Sequence, residues 1–221
     1  ANISEEGKEL ANQSSKEFFE YIKKYVAERR SKPADDLITH LINAEEDNQK
    51  LNFDELVSTC ILLLNAGHEA TVHTIGNGIK ALLLNKVDCR FLKENEWHSI
   101  VEEILRYDPP LHIFTRFAYE NLTFDDVHIA RGEKISLVIG ASGHDESRWD
   151  KPSEFTPNRR PLTHNSFGAG AHFCLGAPLA RLEINLALKN LFDKKRYIKI
   201  LQKPEYADIY HFHGLKSLNV E

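Results

Sequence analysis

Apolar residues recur at helical spacing from the start of the chain. Between residues 4 and 30, Phe18, Phe19, Ile22 and Val26 mark one face of an amphipathic helix. Ser4 is placed to cap it, Glu5 and Glu6 suit its positive N-terminal end, and Arg29 and Arg30 suit the other end. Ser31-Lys32-Pro33 breaks the pattern; a short helix is expected from Asp35 to about Ala44, then a polar turn over Glu45–Lys50. Asn52-Phe53-Asp54-Glu55 has the form of a capping box and opens a long segment, 53–85. That segment is apolar nearly all round, at Val57, Cys60, Ile61, Leu62, Leu63, Leu64, Ile75, Ile79 and Leu82–Leu84. A helix apolar on every face is expected to cross a domain core.

Another helix, 97–107, is expected to stop at Pro109-Pro110, where the pattern changes period. Residues 111–140 carry strand signals, with turns at Asp125-Asp126 and Arg131-Gly132. A proline-rich irregular stretch covers 143–166, a glycine-rich loop covers 167–176, and a strongly amphipathic helix follows over 178–192. Leu179, Leu182, Leu186 and Leu191 mark its expected apolar face. The pattern predicts one mainly helical domain, 1–221, with a small β component: helical over 1–110, β-rich and irregular over 111–166, and a loop, helix and terminal hairpin over 167–221.

Composition narrows this picture without naming a function. The 221 residues are 42% hydrophobic and 28% charged, ordinary for a folded protein. Lys plus Arg is 28 against 33 for Asp plus Glu, a net charge of −5, which argues against a nucleic-acid binder. No run of 18 apolar residues occurs, so no spanning helix is expected. Three distant cysteines, Cys60, Cys89 and Cys174, fit a reducing compartment, hence the cytoplasm, and exclude a disulfide framework or a Cys-x-x-Cys zinc site. There is no methionine, so Ala1 is not an initiator, and a processed chain or a piece of a longer one is expected.

Chemistry concentrates in His164-Asn165-Ser166-Phe167-Gly168-Ala169-Gly170-Ala171-His172-Phe173-Cys174-Leu175-Gly176. Its glycines let the backbone turn tightly and approach a bound group. Cys174 stands just ahead of a helix whose first turn accommodates Pro178, where free N–H groups and the helix dipole favour a thiolate. The residues alone leave three uses open: a structural thiol, a nucleophile with a histidine partner, or a single axial ligand to haem iron.

Phe167-x-x-Gly170-x-x-x-Cys174-x-Gly176 resembles the haem-binding signature of the cytochrome P450 family. His172 and the continuation Ala177-Pro178-Leu179-Ala180-Arg181-Leu182-Glu183 are similar to its soluble bacterial branch. Two further motifs stand in the family's order. Glu103-Ile104-Leu105-Arg106 matches the family's Glu-x-x-Arg, a buried pair that ties its helix to the irregular segment before the cysteine loop. Glu154 in Pro152-Ser153-Glu154-Phe155 occupies the place where the family often has a third partner, an arginine; Arg159 and Arg160 are alternatives, and the choice stays open. Ala66-Gly67-His68-Glu69-Ala70-Thr71 is not a zinc helix, because His73 lies five residues from His68, about 140° around the helix, where a spacing of four is needed. It resembles the family's oxygen groove, in which Ala66 and Gly67 make room for dioxygen and loosen the helix ladder, while Glu69 and Thr71 relay protons. Ala70 stands where that groove often has its first alcohol, so which hydroxyl orders the relay is open.

The resemblance implies the remaining assignments. Cys174 is the iron ligand; Phe167, Gly170, Leu175 and Gly176 support haem b on its side; Arg116 and His172 hold the propionates. His112 and Phe114, on the same strand face as Arg116, line the substrate pocket. His211 and His213 read either as a metal pair on one strand face or, by the resemblance, as part of the terminal hairpin. The implied activity is haem-thiolate monooxygenation: one atom of O2 enters a small organic substrate, with electrons from a ferredoxin-type or other donor, because the chain has no flavin or nicotinamide fingerprint. The expected fold is the C-terminal portion of the cytochrome P450 fold, with the chain matching only the C-terminal half of a family member. Two alternatives remain: a truncated module with weak or no haem binding and no competent catalysis, and a helical protein with a redox-sensing Cys174.

Overall fold

The structure, a computed structural model, describes residues 4–45, 51–160, 163–192, 197–209 and 211–221. Two compact units divide it, Ala1–Glu69 and Ala70–Glu221. In the first, Glu5–Ser31 forms α1, and the Ser4 hydroxyl accepts the Gly7 N–H at 3.1 Å, as the capping residue should. Leu37–Glu45 forms α2, two residues later than expected, because Asp36 accepts the Thr39 N–H at 2.9 Å and so stands ahead of the first turn. Helix α3 runs over Phe53–Leu84 and opens on the expected capping box: the Asn52 N–H donates to Glu55 Oε2 at 2.8 Å, and the Glu55 N–H to Asn52 Oδ1 at 3.0 Å. The core of this unit joins Ile22 and Val26 of α1, Ile42 of α2, and Leu56, Val57 and Cys60 of α3, with Phe18 and Phe19 at its margin. All but Glu45 of the expected polar turn over 45–50 lies outside the described residues.

Helix α3 is not buried all round. Its two ends enter cores, through Leu56, Val57 and Cys60 and through Ala81 and Leu82, but Leu62, Leu64 and Val72 are more than half exposed. The stretch Asn65–Glu69, with three polar residues among five, is exposed as well, so apolar composition overstated burial there. The helix also stays regular through Ala66–Thr71, where a loosened ladder was expected.

The second unit is built on α4, Glu94–Tyr107, and α6, Ala177–Phe192. Helix α4 begins three residues earlier than expected because Glu96 Oε2 accepts the Lys93 N–H at 2.8 Å, satisfying the backbone ahead of the first turn. Its Trp97, Ile100, Val101, Ile104 and Leu105 pack with Ile184, Leu188 and Phe192 of α6. The expected leucine face of α6 is therefore corrected: Leu179, Leu182 and Leu186 are exposed, and the buried stripe is Ala177, Ile184, Leu188 and Phe192, with Leu191 at its edge. Both stripes are apolar and both have helical spacing; only the position of α4 selects one.

Between these helices in chain order come two small antiparallel sheets. Strand β1, Ile113–Phe117, pairs with β4, Lys134–Val138, in the register Ile113↔Val138 and Arg116↔Ile135. Strands β2, Leu122–Phe124, and β3, Val127–Ile129, form a hairpin turned at Asp125, whose φ is +48°. A single helical turn, α5, Ile139–Ser142, follows β4. The terminal segment folds back on itself, with Tyr206 opposite Leu215, and touches the rest of the unit where Phe212 bridges Leu111.

Gly143, at the end of α5, meets α4 so closely that a Cβ would stand 2.2 Å from the Arg106 carbonyl oxygen. Gly67, on α3, has nothing within 4 Å of the same position. Gly143→Ala is expected to lower stability by about 1–3 kcal/mol, and Gly67→Ala to raise it by about 0.5–1 kcal/mol through helix propensity; urea unfolding midpoints check both signs.

Candidate active site

Two adjacent carboxylates on α4, one turn before its end, organise the second unit. Glu103 and Arg106 stand three apart on one helix face and form a two-toothed pair, Nε to Oε2 and Nη2 to Oε1, each at 2.8 Å. Both side chains are 1% exposed. Two charges so deeply buried need further partners. Arg106 donates to the carbonyls of Pro152 at 2.9 Å, Glu154 at 3.2 Å and Gly143. Glu103 Oε1 accepts the Thr156 N–H at 2.7 Å. The third partner is Arg159, whose Nε lies 3.2 Å from both Glu103 oxygens and whose guanidinium also reaches the carbonyls of Asp150, Lys151 and Glu154. Arg160 instead bonds Ser99 Oγ at 3.2 Å. Glu154 serves the network through its carbonyl while its side chain is exposed. A segment with no regular structure, 150–159, is thus fixed by three buried charges.

The neighbouring carboxylate, Glu102, was not anticipated from sequence. It is buried and takes Arg181 of α6 through two hydrogen bonds, 2.6 and 2.9 Å, and His164 Nε2 at 3.2 Å. Burial alone would push its carboxyl up, but the His164 and Arg181 hydrogen bonds outweigh this and hold it at about 2. Arg181 also lies over the Phe167 ring, 4.5 Å from its centroid. The signal lay in plain sight: Glu102 adjoins Glu103, and Arg181 stands in the run that continues the cysteine loop. Ser166 Oγ donates to the Leu105 carbonyl at 2.6 Å, a third tie between α4 and the start of that loop.

From these anchors the loop turns outward. Gly168 and Gly170 adopt φ of +73° and +68°, conformations that suit glycine. The Cys174 N–H closes the loop on the Phe167 carbonyl at 2.9 Å, and the Phe173 N–H bonds Gly170 at 3.1 Å. Cys174 is exposed at the entry to α6, whereas Cys60 and Cys89 are buried; burial chiefly pushes the Cys89 thiol up to about 12. Beside the loop, Phe114, Thr115, Arg116, Phe117, Ala118, Tyr119 and His172 line an open cleft of about 610 Å3. The structure thus brings Arg116, His172 and Phe114 together. His112 stands elsewhere: its ring stacks on His213 with centroids 4.0 Å apart, just before β1 begins.

Of the groove residues on α3, Ala66, Gly67 and Glu69 belong to the first unit and Thr71 to the second. Ala66, Gly67 and Glu69 are exposed and Thr71 is half-buried. One turn on, Thr74 is buried and its hydroxyl donates back to the Ala70 carbonyl at 2.7 Å. Beside the missing alcohol at position 70, the nearest following buried hydroxyl is thus engaged with that residue's own backbone.

A family model described as Cytochrome P450 matches residues 3–89 and 98–199. The chain belongs to the cytochrome P450 family. It is 42% identical over 225 residues to the polyketide biosynthesis cytochrome P450 PksS of Bacillus subtilis, covering 99% of this chain and 56% of that protein. It is 38% identical to cytochrome P450 CYP107DY1 of Priestia megaterium, over 92% of this chain and 50% of that one. The solved structure of PksS superposes with a TM-score of 0.92 over 100% of this chain and 58% of that chain, at 40% identity. That of P450BioI, in complex with an acyl carrier protein ligated to hexadec-9Z-enoic acid, gives 0.91 over 98% and 56%, at 33% identity. The P450 chain spans about half the length of the curated relatives it matches. The expectation of a C-terminal half only, and of a C-terminal portion of the fold, is corrected. Likeness runs through nearly all of this chain, because helices α1 and α2 carry it as well as the motif-bearing segments.

The depressed Glu102 carboxyl gives a pH signature. A carboxyl held below its ordinary 4.5 contributes stability that is complete above that pH and lost as pH falls towards about 2. Glu102→Gln removes this contribution. Its unfolding free energy, from urea titrations at a series of pH values, is expected to fall less steeply than the wild type's within that window.

Proposed function

We propose that the chain works as a haem-thiolate monooxygenase of the cytochrome P450 type, which inserts one atom of O2 into a small organic substrate. The observation that carries the reading is the exposed Cys174, held on a loop whose glycines take positive φ and whose base is pinned by Glu102 and Arg181. Its donor set fits haem b: one soft sulfur ligand, an open backbone at Gly170 with no atom within 4 Å of a Cβ position, and a cleft lined by the cationic Arg116 and by His172. Haem bound there supplies the oxygen-activating redox chemistry, with electrons from a separate donor such as a ferredoxin.

The chain's own residues do the rest. Cys174 would hold the haem iron through its thiolate, and the N–H groups of Leu175 and Gly176 would stabilise the sulfur's charge. Phe167 and Gly170 shape the loop against the macrocycle. Arg116 and His172, which line one cleft, would pair with its carboxylates. By the family resemblance, Ala66 and Gly67 would give room for dioxygen, and Glu69 and Thr71 would carry protons. Phe114, which lines the cleft beside the loop, contacts substrate. An acyl or polyketide-like substrate is the class favoured by the names of PksS and of the acyl-carrier complex. Among the described residues no helix is long and apolar enough to cross a membrane, and the three unpaired thiols favour a reducing compartment, the cytoplasm.

The test is the reduced, carbon monoxide-bound spectrum after haem reconstitution. Wild type is expected to give the long-wavelength Soret band of thiolate ligation, and Cys174→Ser to lose it. No Soret absorbance in the wild type, or the same band in Cys174→Ser, would overturn the reading.

A further inference from the structure

A second cluster of ligating side chains lies outside the cysteine loop, within the second unit. Asp108 caps the end of α4, His112 precedes β1, and His213 lies on the terminal segment. One ligand atom from each falls within 4.8 Å of the other two. His213 Nε2 is 3.3 Å from Asp108 Oδ1, about the edge of a tetrahedron around a zinc-sized ion with bonds near 2.0–2.1 Å.

The backbones that carry these groups are locked together. Asn77 of α3 donates through one amide nitrogen to the Asp108 carbonyl at 3.1 Å and to the His213 carbonyl at 2.9 Å. The His213 N–H donates to the Pro110 carbonyl at 2.7 Å, and the Gly140 N–H to the His112 carbonyl at 3.1 Å. The Asp108 oxygens have separate roles. Oδ2 receives Lys80 Nζ at 2.8 Å and the Tyr206 hydroxyl, which leaves Oδ1 to face the imidazole. Asp108 is 7% exposed and His213 30%, so an ion enters past the His213 ring.

We propose that Asp108, His112 and His213 form a binding site for a divalent first-row cation, zinc in the first instance. The set is two imidazoles and one carboxylate oxygen, with water completing the tetrahedron. Binding opens the His112–His213 stack, now 24° between planes, so that both lone pairs converge on the ion. The ion clips the terminal segment to the end of α4 and the start of β1. This site is independent of Cys174.

The experiment uses tag-free protein carrying Cys174→Ser, so that the exposed thiol takes no metal. Zinc is titrated by calorimetry, and thermal unfolding is followed with and without it. One equivalent is expected to bind and to raise Tm. His112→Ala and His213→Ala should each weaken binding by at least about tenfold, no less than the loss of an outer-shell partner costs, and should abolish the Tm rise. Each variant's far-UV circular dichroism establishes that it is folded; if either fails this check, His112→Gln or His213→Gln takes its place. Absence of saturable binding in the Cys174→Ser protein, or binding unchanged in both histidine variants, would overturn the proposal.

Discussion

The second unit depends on one buried interaction, the Glu103 carboxylate shared between Arg106 and Arg159. All three side chains are nearly inaccessible. Removing charge from water is costly, and the attraction within the cluster repays it only if every remaining donor and acceptor is used. Here they are used on the backbone of an irregular stretch: carbonyls of Asp150, Lys151, Pro152 and Glu154 and the N–H of Thr156. A chain segment with no ladder of its own borrows its hydrogen bonds from a salt bridge. Gly143 belongs to the same arrangement, since its carbonyl receives Arg106 and its missing Cβ lets it approach.

Glu102 extends this logic towards the cysteine. One residue earlier on α4, it faces α6 and the start of the loop, where Arg181 and His164 close on it. Adjacent carboxylates thus fix both the irregular segment 150–159 and the start of the cysteine loop, and the loop between His164 and Arg181 projects Cys174 outward from a rigid base. Rigidity at the base and exposure at the tip suit a sulfur whose partner is a bound group rather than a protein side chain.

Local features were legible in the sequence. Ser4 and Asn52 act within four residues of themselves, so their caps could be read from spacing alone. The neighbourhood of Glu103 and Arg106 on one helix face follows from the same short spacing, whereas their burial was implied by the resemblance to the family. What failed needed tertiary information. Helix α6 carries two apolar stripes, and periodicity cannot say which one α4 covers. The third arginine was undecided because Arg159 and Arg160 are neighbours that diverge only once the irregular segment is folded. The exposure of α3 around Leu62 and Leu64 was missed because composition counts apolar residues, whereas burial depends on what stands opposite. His112 was placed beside Phe114 by strand alternation, but regular pairing starts at Ile113, and the histidine joins the terminal segment instead.

The central claim is that the two α4 carboxylates hold the cysteine loop in place. Native-state hydrogen exchange at the Cys174 amide, which bonds the Phe167 carbonyl at 2.9 Å, tests it most directly. In Glu102→Gln the exchange of this amide is expected to quicken by more than that of the α1 amides. Unchanged protection at Cys174, or an equal loss of protection throughout the chain, would contradict the account.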